Sequence, residues 1–321
     1  MEIRYVKHED INKQQWDDLL DRSPQSRIYA YSWYLDSMSP NWDALVSGNY
    51  EAIFPLPWNN KLLGIKRLIK PRLCQQLGLF TLDSYIKKSD LEAFLLAIPN
   101  YFKEIDFNLN ELNPPPYLED WTVDKKVNMY IDLSLTYEKL YSQYSDHHKR
   151  NLKKAANFDL KTNSSLNVDK LIDAFLVQNK DKIKAYSTKQ RSSLTSLLKI
   201  SMSTKSGLIR AIEDNTGELH CAVFLQNANG RLYYLLPLST EAGRKSGAMY
   251  FLLDLVFKEF AGTNTIFDFE GSSLPGVSKF YKGFGAKESN FYQVSKSNLP
   301  KWLKRIISIA NYILSRVVES I

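Results

Sequence analysis

The stretch from Thr265 to Ala286 constrains the fold of this chain more than any other. Strand-forming apolar residues run from Ile266 to Phe269 and stop at Gly271, which predicts the end of a buried strand. Apolar residues then recur at three- and four-residue spacing, which predicts a short helix: Val277, Phe280, Tyr281 and Phe284. Ligands of α/β folds commonly bind just beyond the carboxyl end of a strand. The charged residues expected around such a site are Asp268, Glu270, Lys279 and Lys282.

The length of 321 residues fits two domains of about 150 residues each. A hydrophobic content of 44% is enough for two ordinary cores. Neither a signal-peptide pattern nor an apolar run long enough to cross a bilayer occurs, so we expect a soluble, cytoplasmic protein.

The net charge limits the classes of binding partner, and the cysteine and histidine content limits the disulfide and metal chemistry that the chain can support. A net charge of +7 permits an anionic partner such as a phosphate, a nucleotide or RNA, without requiring one. Two cysteines, Cys74 and Cys221, cannot form a disulfide framework, and their apolar surroundings predict buried free thiols. The adjacent His147 and His148 would point about 100° apart on a helix, so no metal site is predicted there.

Apolar periodicity and turn residues predict the elements of the first half. Pro55 and Pro57 mark one strand as an edge strand or an interrupted one, and the last helix is expected to continue through Pro99. The predicted helices are 15–20, 29–36 and 91–104, and the predicted strands are 44–46, 52–56, 77–80 and 107–112.

The second half shows a different order of elements. A helix is expected from about Ser134 to Lys154, ending in a cluster of basic residues, and helices 171–182 and 189–200 follow. Turn signals separate three strands expected to be antiparallel, 207–212, 219–225 and 231–236. A loop at 239–248 and a helix from Met249 precede the strand at 266–269.

Four segments resemble the Fem-type aminoacyltransferases, the FemA/FemB/FemX-like peptidoglycan enzymes. They are QQLGL at 75–79, HHKRNLKKA at 147–155, DFEGS at 268–272 and FYKGFGA at 280–286. The resemblance implies an α/β (α+β) fold of two tandem GNAT-like (Gcn5-related N-acetyltransferase) units, each a mixed, mostly antiparallel sheet flanked by helices. We expect the units at 1–133 and 134–298, followed by a C-terminal amphipathic helix at 299–321.

The resemblance also implies the co-substrate. In GNAT proteins the loop before the long helix binds the pyrophosphate of acyl-CoA, and Arg244-x-x-Gly247-Ala248 retains the core of that loop pattern. Met249 stands where the pattern has a small residue. Fem-type enzymes have similarly altered loops and take an aminoacyl group from tRNA. Acyl-CoA or aminoacyl-tRNA is therefore the expected co-substrate, and no tightly bound cofactor is expected.

Acyl transfer to an amine requires a proton acceptor and contacts that hold the donor. Asp268 or Glu270 is the candidate general base, although a loop-bracing role is open for either of them. Fem-like proteins often carry a Phe-Lys pair that contacts substrate, and the matching positions here are Phe280 and Tyr281. The candidate substrate-binding residues are Lys149, Arg150, Arg244, Gly247, Lys279, Phe280, Tyr281 and Lys282.

Several alternatives stay open. The acceptor is expected to be a small amine or a cell-wall precursor, tRNA is the expected donor carrier, and no DNA partner is expected. A catalytically silent protein that binds a ligand in the cleft between two units is the alternative function. The apolar stripe of 299–321 favours docking on the protein itself or on a second subunit in a homodimer, and peripheral contact with the inner membrane face is a further alternative.

Overall fold

The computed structural model describes residues 2–39, 41–60, 64–163, 165–178, 187–271 and 274–300. The chain divides into two compact units, Met1–Lys126 with Phe291–Ile321, and Val127–Asn290. The sequence analysis placed the boundaries at 133/134 and 298/299, so the divisions differ mainly in giving the segment after Asn290 to the first unit. The predicted C-terminal helix lies, from residue 301 on, outside the described residues.

The strands are β1 (Ile3–Val6), β2 (Trp42–Ser47), β3 (Ala52–Asn60), β4 (Lys66–Ile69), β5 (Phe80–Thr81), β6 (Glu104–Asn108), β7 (Thr122–Asp132), β8 (Lys161–Thr162), β9 (Gly207–Glu213), β10 (Leu219–Ala228), β11 (Arg231–Ser239), β12 (Ile266–Asp268) and β13 (Lys287–Ser297). The α-helices are α1 (Lys13–Arg22), α2 (Ser32–Met38), α3 (Lys88–Leu96), α4 (Tyr137–Ser142), α5 (Asp146–Ala155), α6 (Val168–Gln178), α7 (Thr188–Ser203), α8 (Glu241–Ser246), α9 (Ala248–Phe260) and α10 (Pro275–Lys282).

The first unit contains a mixed sheet with the strand order β1-β2-β3-β4-β6-β13. Strands β4 and β6 run parallel, and the other neighbours on this path are antiparallel. Helix α3 packs its apolar residues on the sheet, where Phe54 contacts Phe94 and Phe107 with ring centroids 6.2 and 5.4 Å apart. The helix ends at Leu96 rather than continuing to residue 104 as predicted, because Pro99 cannot donate a helical hydrogen bond.

The second unit contains a mixed sheet with the strand order β7-β12-β11-β10-β9-β8. Strands β9, β10 and β11 are antiparallel, as predicted, and β11 and β12 are parallel. The connection between β11 and β12 runs through α8 and α9. Helix α9 buries Leu252, Leu253, Val256 and Phe257 against the sheet.

Two predictions for this unit are wrong in detail. The predicted helix 134–154 is two helices, because Ser145 interrupts it and caps the start of α5. The predicted loop 239–248 contains α8, whose N-cap Thr240 accepts a hydrogen bond from Gly243 N at 3.0 Å.

Both cysteines are buried free thiols, as predicted. No helix in the described part of the chain is long and apolar enough to cross a membrane.

Candidate functional site

A cavity of about 640 Å³ opens in the second unit between the start of α5, the start of α9 and α10. It combines cationic side chains with aromatic rings, and no acidic side chain is among its described lining residues. The lining consists of Ser145, His147, His148, Arg150, Tyr250, Gly276, Lys279, Phe280, Lys282 and Gly283.

Ser145 joins α5 to α10. Its side chain accepts a hydrogen bond from His148 N at 3.3 Å, which caps α5, and its backbone N donates to Gly283 O at 2.9 Å. The end of α10 and the start of α5 are therefore fixed against each other by backbone and side-chain hydrogen bonds.

His148 is a buried part of the cavity wall. Its Nε2 lies 2.8 Å from the carbonyl oxygen of Phe280, which can only accept, so Nε2 carries the proton. Its Nδ1 then accepts from the Ser145 hydroxyl at 2.9 Å. The ring packs edge-on against Phe284 and Tyr250, with centroids 4.4 and 4.8 Å away. Burial lowers the pKa of His148 to about 4, so the imidazole is neutral at pH 7.

The low pKa of His148 predicts an acid-sensitive fold. The pKa falls from 6.5 to about 4 on folding, so the unfolded chain binds the proton more readily between these values. The contribution of the neutral His148 to the free energy of unfolding is complete above about pH 6.5 and is lost as the pH falls toward 4. Between pH 7 and pH 5 we expect the free energy of unfolding to fall by on the order of 2 kcal/mol. Urea denaturation of wild type and His148→Gln at both pH values measures this component.

His147 supplies the control for that experiment, because it is the exposed neighbour on the same helix. The His147→Gln variant should keep the pH dependence of wild type, whereas His148→Gln should lose most of it. Equal pH dependence in all three proteins would contradict the assignment to His148.

The charged residues of the cavity are all basic. Arg150 lies on α5, and Lys279 and Lys282 lie on α10. All three side chains are exposed. Lys282 Nζ pairs with Glu288 at 2.6 Å, whereas Arg150 and Lys279 form no ion pair within the described residues. Lys149 is not among the lining residues; its Nζ lies 5.5 Å from the centroid of the Tyr141 ring.

Two half-buried aromatic rings form the apolar part of the cavity. Tyr250 and Phe280 meet edge to face with centroids 5.0 Å apart. The next residue, Tyr281, points the other way and stacks on Phe269 at 4.1 Å in the core of the unit. Of the predicted pair Phe280 and Tyr281, only Phe280 therefore reaches the cavity.

The predicted base Asp268 is buried at the end of β12. Its Oδ2 pairs with Arg231 Nη1 at 2.5 Å, and its Oδ1 accepts from Asn128 Nδ2 at 3.0 Å and Glu270 N at 2.8 Å. These contacts fasten β12 to β11 and β7, which favours a structural role for Asp268. The catalytic assignment of either acidic residue stays a prediction.

Glu270 and Gly271 form a tight turn directly after the strand. Both adopt positive φ, 60° and 64°, and a Cβ on Gly271 would lie 2.4 Å from Val127 O. Only glycine fits at this position. Glu270 is half-buried. The burial of Tyr281 raises the pKa of its hydroxyl, and the nearby charge of Glu270 raises it further. Residues two apart on a strand share a face, but Asp268 and Glu270 do not form such a pair, because β12 stops at Asp268.

Pairing of β11 with β12 ends at Tyr233 and Asp268, whereas β11 stays paired with β10 as far as Ser239. Leu236, within that stretch of β11, has a φ of 47°. The aromatic rings of Tyr234, Phe269 and Tyr281 pack together just beyond the last pair of β11 with β12.

Arg244 and Gly247 of the predicted pyrophosphate loop are not among the lining residues of the cavity, although Gly247 O accepts a hydrogen bond from the lining residue Tyr250 at 3.0 Å. Arg244 is exposed on α8 and donates to Ser239 O at 2.7 Å, and Gly247 joins α8 to α9 with a φ of 78°. Gly243 packs so closely on β10 that a Cβ there would lie 1.9 Å from His220 O. The backbone N–H groups of Gly243, Arg244 and Gly247 all donate within this segment.

The structure thus brings together four of the predicted site residues, namely Arg150, Lys279, Phe280 and Lys282. Sequence reasoning did not assign Ser145, His148, Tyr250 or Gly283 to the site. The sequence contains an indication of two of them. Ser145 stands three residues before a histidine, which is a helix-capping signal, and Gly283 is the glycine inside FYKGFGA.

Comparison with known proteins places the fold. No family model matches the sequence, and no curated protein matches it. Among solved structures, FemX superposes with a TM-score of 0.60 at 12% identity, covering 91% of this chain and 97% of that one. L-PGS from Bacillus licheniformis superposes with a TM-score of 0.50 at 12% identity, covering 94% of this chain and 96% of L-PGS. A tandem GNAT protein from the clavulanic acid biosynthesis pathway gives 0.50 at 11% identity, covering 94% and 100%.

The chain therefore has the Fem-type, tandem GNAT-like fold, as the sequence resemblance predicted. At these identities the likeness concerns the fold alone.

Proposed function

We propose that the protein is an N-acyltransferase that takes an aminoacyl group from aminoacyl-tRNA and transfers it to an amine. The observation that carries this proposal is the cavity of the second unit, where three cations stand beside two aromatic rings without a lining carboxylate. This combination suits a ligand that carries both phosphates and a flat ring.

The end of a tRNA offers both groups. Phosphodiesters pair with Arg150, Lys279 and Lys282 through charge-assisted hydrogen bonds, and an unpaired base stacks on Tyr250 or Phe280. The amide groups at the start of α5 add a partial positive charge to the same wall.

The segment around α8 supports aminoacyl-tRNA over acyl-CoA. A pyrophosphate-binding loop presents free backbone N–H groups to the ligand. Here the amides of Gly243, Arg244 and Gly247 are bonded within the segment, and Gly243 is pressed against β10. FemX, with the same overall fold, is consistent with a Fem-type reaction for this chain.

The reaction is an aminolysis of an ester. The lone pair of the acceptor amine attacks the ester carbonyl carbon, the C–N bond forms, and the C–O bond to the terminal ribose breaks. The amine loses a proton, and the ribose oxygen leaves and gains one. We assign proton acceptance to the half-buried Glu270, which lies in the turn after β12 and is not a lining residue of the cavity. Asp268 is the weaker candidate, because its oxygens are bonded to Arg231 and Asn128.

The acceptor that we propose is an amine of a cell-wall precursor, encountered on the cytoplasmic side. The Fem-type fold and the basic cavity support an acceptor of this class, since such precursors carry phosphates as well as amines. Peripheral membrane contact through 299–321 and a homodimer remain proposals of the sequence analysis.

The donor is tested with purified protein, a mixture of charged tRNAs, acyl-CoAs and a panel of amines. Product that forms only when charged tRNA and an amine are both present supports the proposal. Product that forms only with acyl-CoA would show that acyl-CoA is the donor instead of aminoacyl-tRNA. Saturable tRNA binding without product would favour a catalytically silent binding protein.

Substitutions in the site should separate donor binding from proton transfer. Lys282→Ala removes a charge-assisted contact worth about 1.5–3 kcal/mol, so kcat/KM for the donor should fall roughly 10- to 100-fold. Glu270→Gln should lower kcat by roughly 10²- to 10⁴-fold. Initial rates over a range of donor concentrations measure both.

Lys199 offers a matched control for Lys282, because it also forms an exposed ion pair, with Asp169 Oδ2 at 3.0 Å. Lys199→Ala should retain the wild-type rate. Full activity in both Lys282→Ala and Glu270→Gln would discard the proposed site.

A further inference from the structure

The hairpin that joins β9 to β10 brings together three side chains that can bind a cation. Asp214 and Glu218 lie in the turn and His220 lies at the start of β10, and their ligand atoms are all within 4.8 Å of one another. None of the three lines the cavity described above. The sequence analysis predicted no metal site, because these residues become neighbours only through the turn.

The buried imidazole of His220 aims one nitrogen at the two carboxylates. The residue is 5% exposed, and its Nδ1 lies 2.8 Å from Ser246 Oγ on α8. The Ser246 hydroxyl also lies 3.3 Å from Gly243 O, to which it can donate while it accepts Nδ1–H of His220. In that tautomer Nε2 offers its lone pair on the side of Asp214 Oδ2, 3.5 Å away.

Asp214 is held in place by three hydrogen bonds. Its Oδ1 accepts from Thr216 N at 2.9 Å, Thr216 Oγ1 at 2.6 Å and Glu218 N at 3.0 Å. With Oδ1 fixed in this way, Oδ2 faces Nε2 of His220 across 3.5 Å.

We propose that Asp214, Glu218 and His220 bind a divalent transition-metal ion of the Zn²⁺ class. An ion between Nε2 and Oδ2 is within reach of both atoms, and the exposed Glu218 completes a three-ligand set. One imidazole with two carboxylates suits Zn²⁺ or Mn²⁺, whereas Mg²⁺ and Ca²⁺ prefer oxygen ligands alone.

Ser246 then acts as the outer partner that orients the imidazole, as is usual for a metal-bound histidine. Since α8 packs on the backbone of His220, a bound ion would fasten the hairpin turn to the base of α8. This site is independent of the proposed acyl transfer.

Metal binding is measured on the full-length protein after treatment with a chelator. We expect one saturable site for Zn²⁺ by calorimetry, visible absorption bands on titration with Co²⁺, and a higher melting temperature with Zn²⁺ but not with Mg²⁺. The exposed Glu218 can be changed without disturbing the core, so Glu218→Gln should weaken Zn²⁺ binding by about tenfold or more. Ser246→Ala should weaken it by roughly 10- to 100-fold.

The control is Asp159→Asn, an exposed acidic residue outside the cluster, which should bind Zn²⁺ like wild type. Two outcomes would overturn the proposal. The first is the absence of saturable Zn²⁺ or Co²⁺ binding, which would leave an ordinary ion pair between Asp214 and His220. The second is unchanged binding in Glu218→Gln, which would place the ion elsewhere.

Discussion

Replacing Gly283 by alanine is expected to lower the free energy of unfolding by about 1–3 kcal/mol and to abolish donor binding. A Cβ at this position would lie 1.9 Å from Cε1 and 2.3 Å from Nδ1 of His148. The imidazole cannot move aside, because hydrogen bonds to Ser145 and Phe280 hold both of its nitrogens. Chemical denaturation and tRNA titration measure the two effects.

Gly276 is the matched control, since it is also on α10 and also lines the cavity. No atom lies within 4 Å of a Cβ placed there. Alanine in a helix is favoured over glycine, so Gly276→Ala should be neutral or stabilising by up to about 1 kcal/mol. Equal stability of the two variants would contradict the tight packing of His148 under α10.

Removing the carboxylate of Asp268 is expected to destabilise the second unit by about 3–5 kcal/mol. Asp268 is 1% exposed and Arg231 is largely buried, so Asp268→Ala removes a buried carboxylate that pairs with the guanidinium. It also removes the acceptor of the Asn128 and Glu270 hydrogen bonds. Urea denaturation of Asp268→Ala measures the loss.

The exposed pair of Arg210 and Glu259 in the same unit is the control. It has comparable geometry, with two hydrogen bonds of 2.6 and 3.1 Å, but water screens it. Glu259→Ala should therefore cost about 0–1 kcal/mol. If Asp268→Ala kept wild-type stability and lost only turnover, Asp268 would be catalytic and its structural role would be wrong.

Local sequence signals were sufficient to predict many of the strands and helices of the second unit. The apolar run at 266–269 and the spacing of Val277, Phe280 and Phe284 predicted β12 and α10, because both patterns depend on short-range periodicity. The turns at 215–217 and 227–230 predicted the antiparallel strands β9 to β11 for the same reason.

Long-range contacts account for what the sequence did not predict. Arg231 meets Asp268 only because β11 and β12 are parallel neighbours, a pairing that no short window of sequence contains. The tautomer of His148 depends on the carbonyl oxygen of Phe280, which is 132 residues away in the chain. Helix α8 was expected to be a loop, since its fit to β10 depends on the contact of Gly243 with His220.

The tripeptide Phe-Lys-Glu occurs once in each half of the chain, at 102–104 and at 257–259, which suggests an internal repeat. In the second unit these residues, Phe257–Glu259, lie within α9. In the first unit Phe102 and Lys103 follow the end of α3, and Glu104 begins β6. The two motifs therefore occupy different positions, although each unit has one parallel strand pair among antiparallel strands.

The most direct test of the proposed acyl transfer is a single-turnover reaction of the wild-type protein with labelled aminoacyl-tRNA and an amine acceptor, followed by treatment with mild alkali. The ester that joins an amino acid to tRNA is cleaved by alkali, whereas an amide survives. We predict that the label becomes alkali-stable and appears on the acceptor. Label that stays alkali-labile, or is released only as free amino acid, would contradict the account.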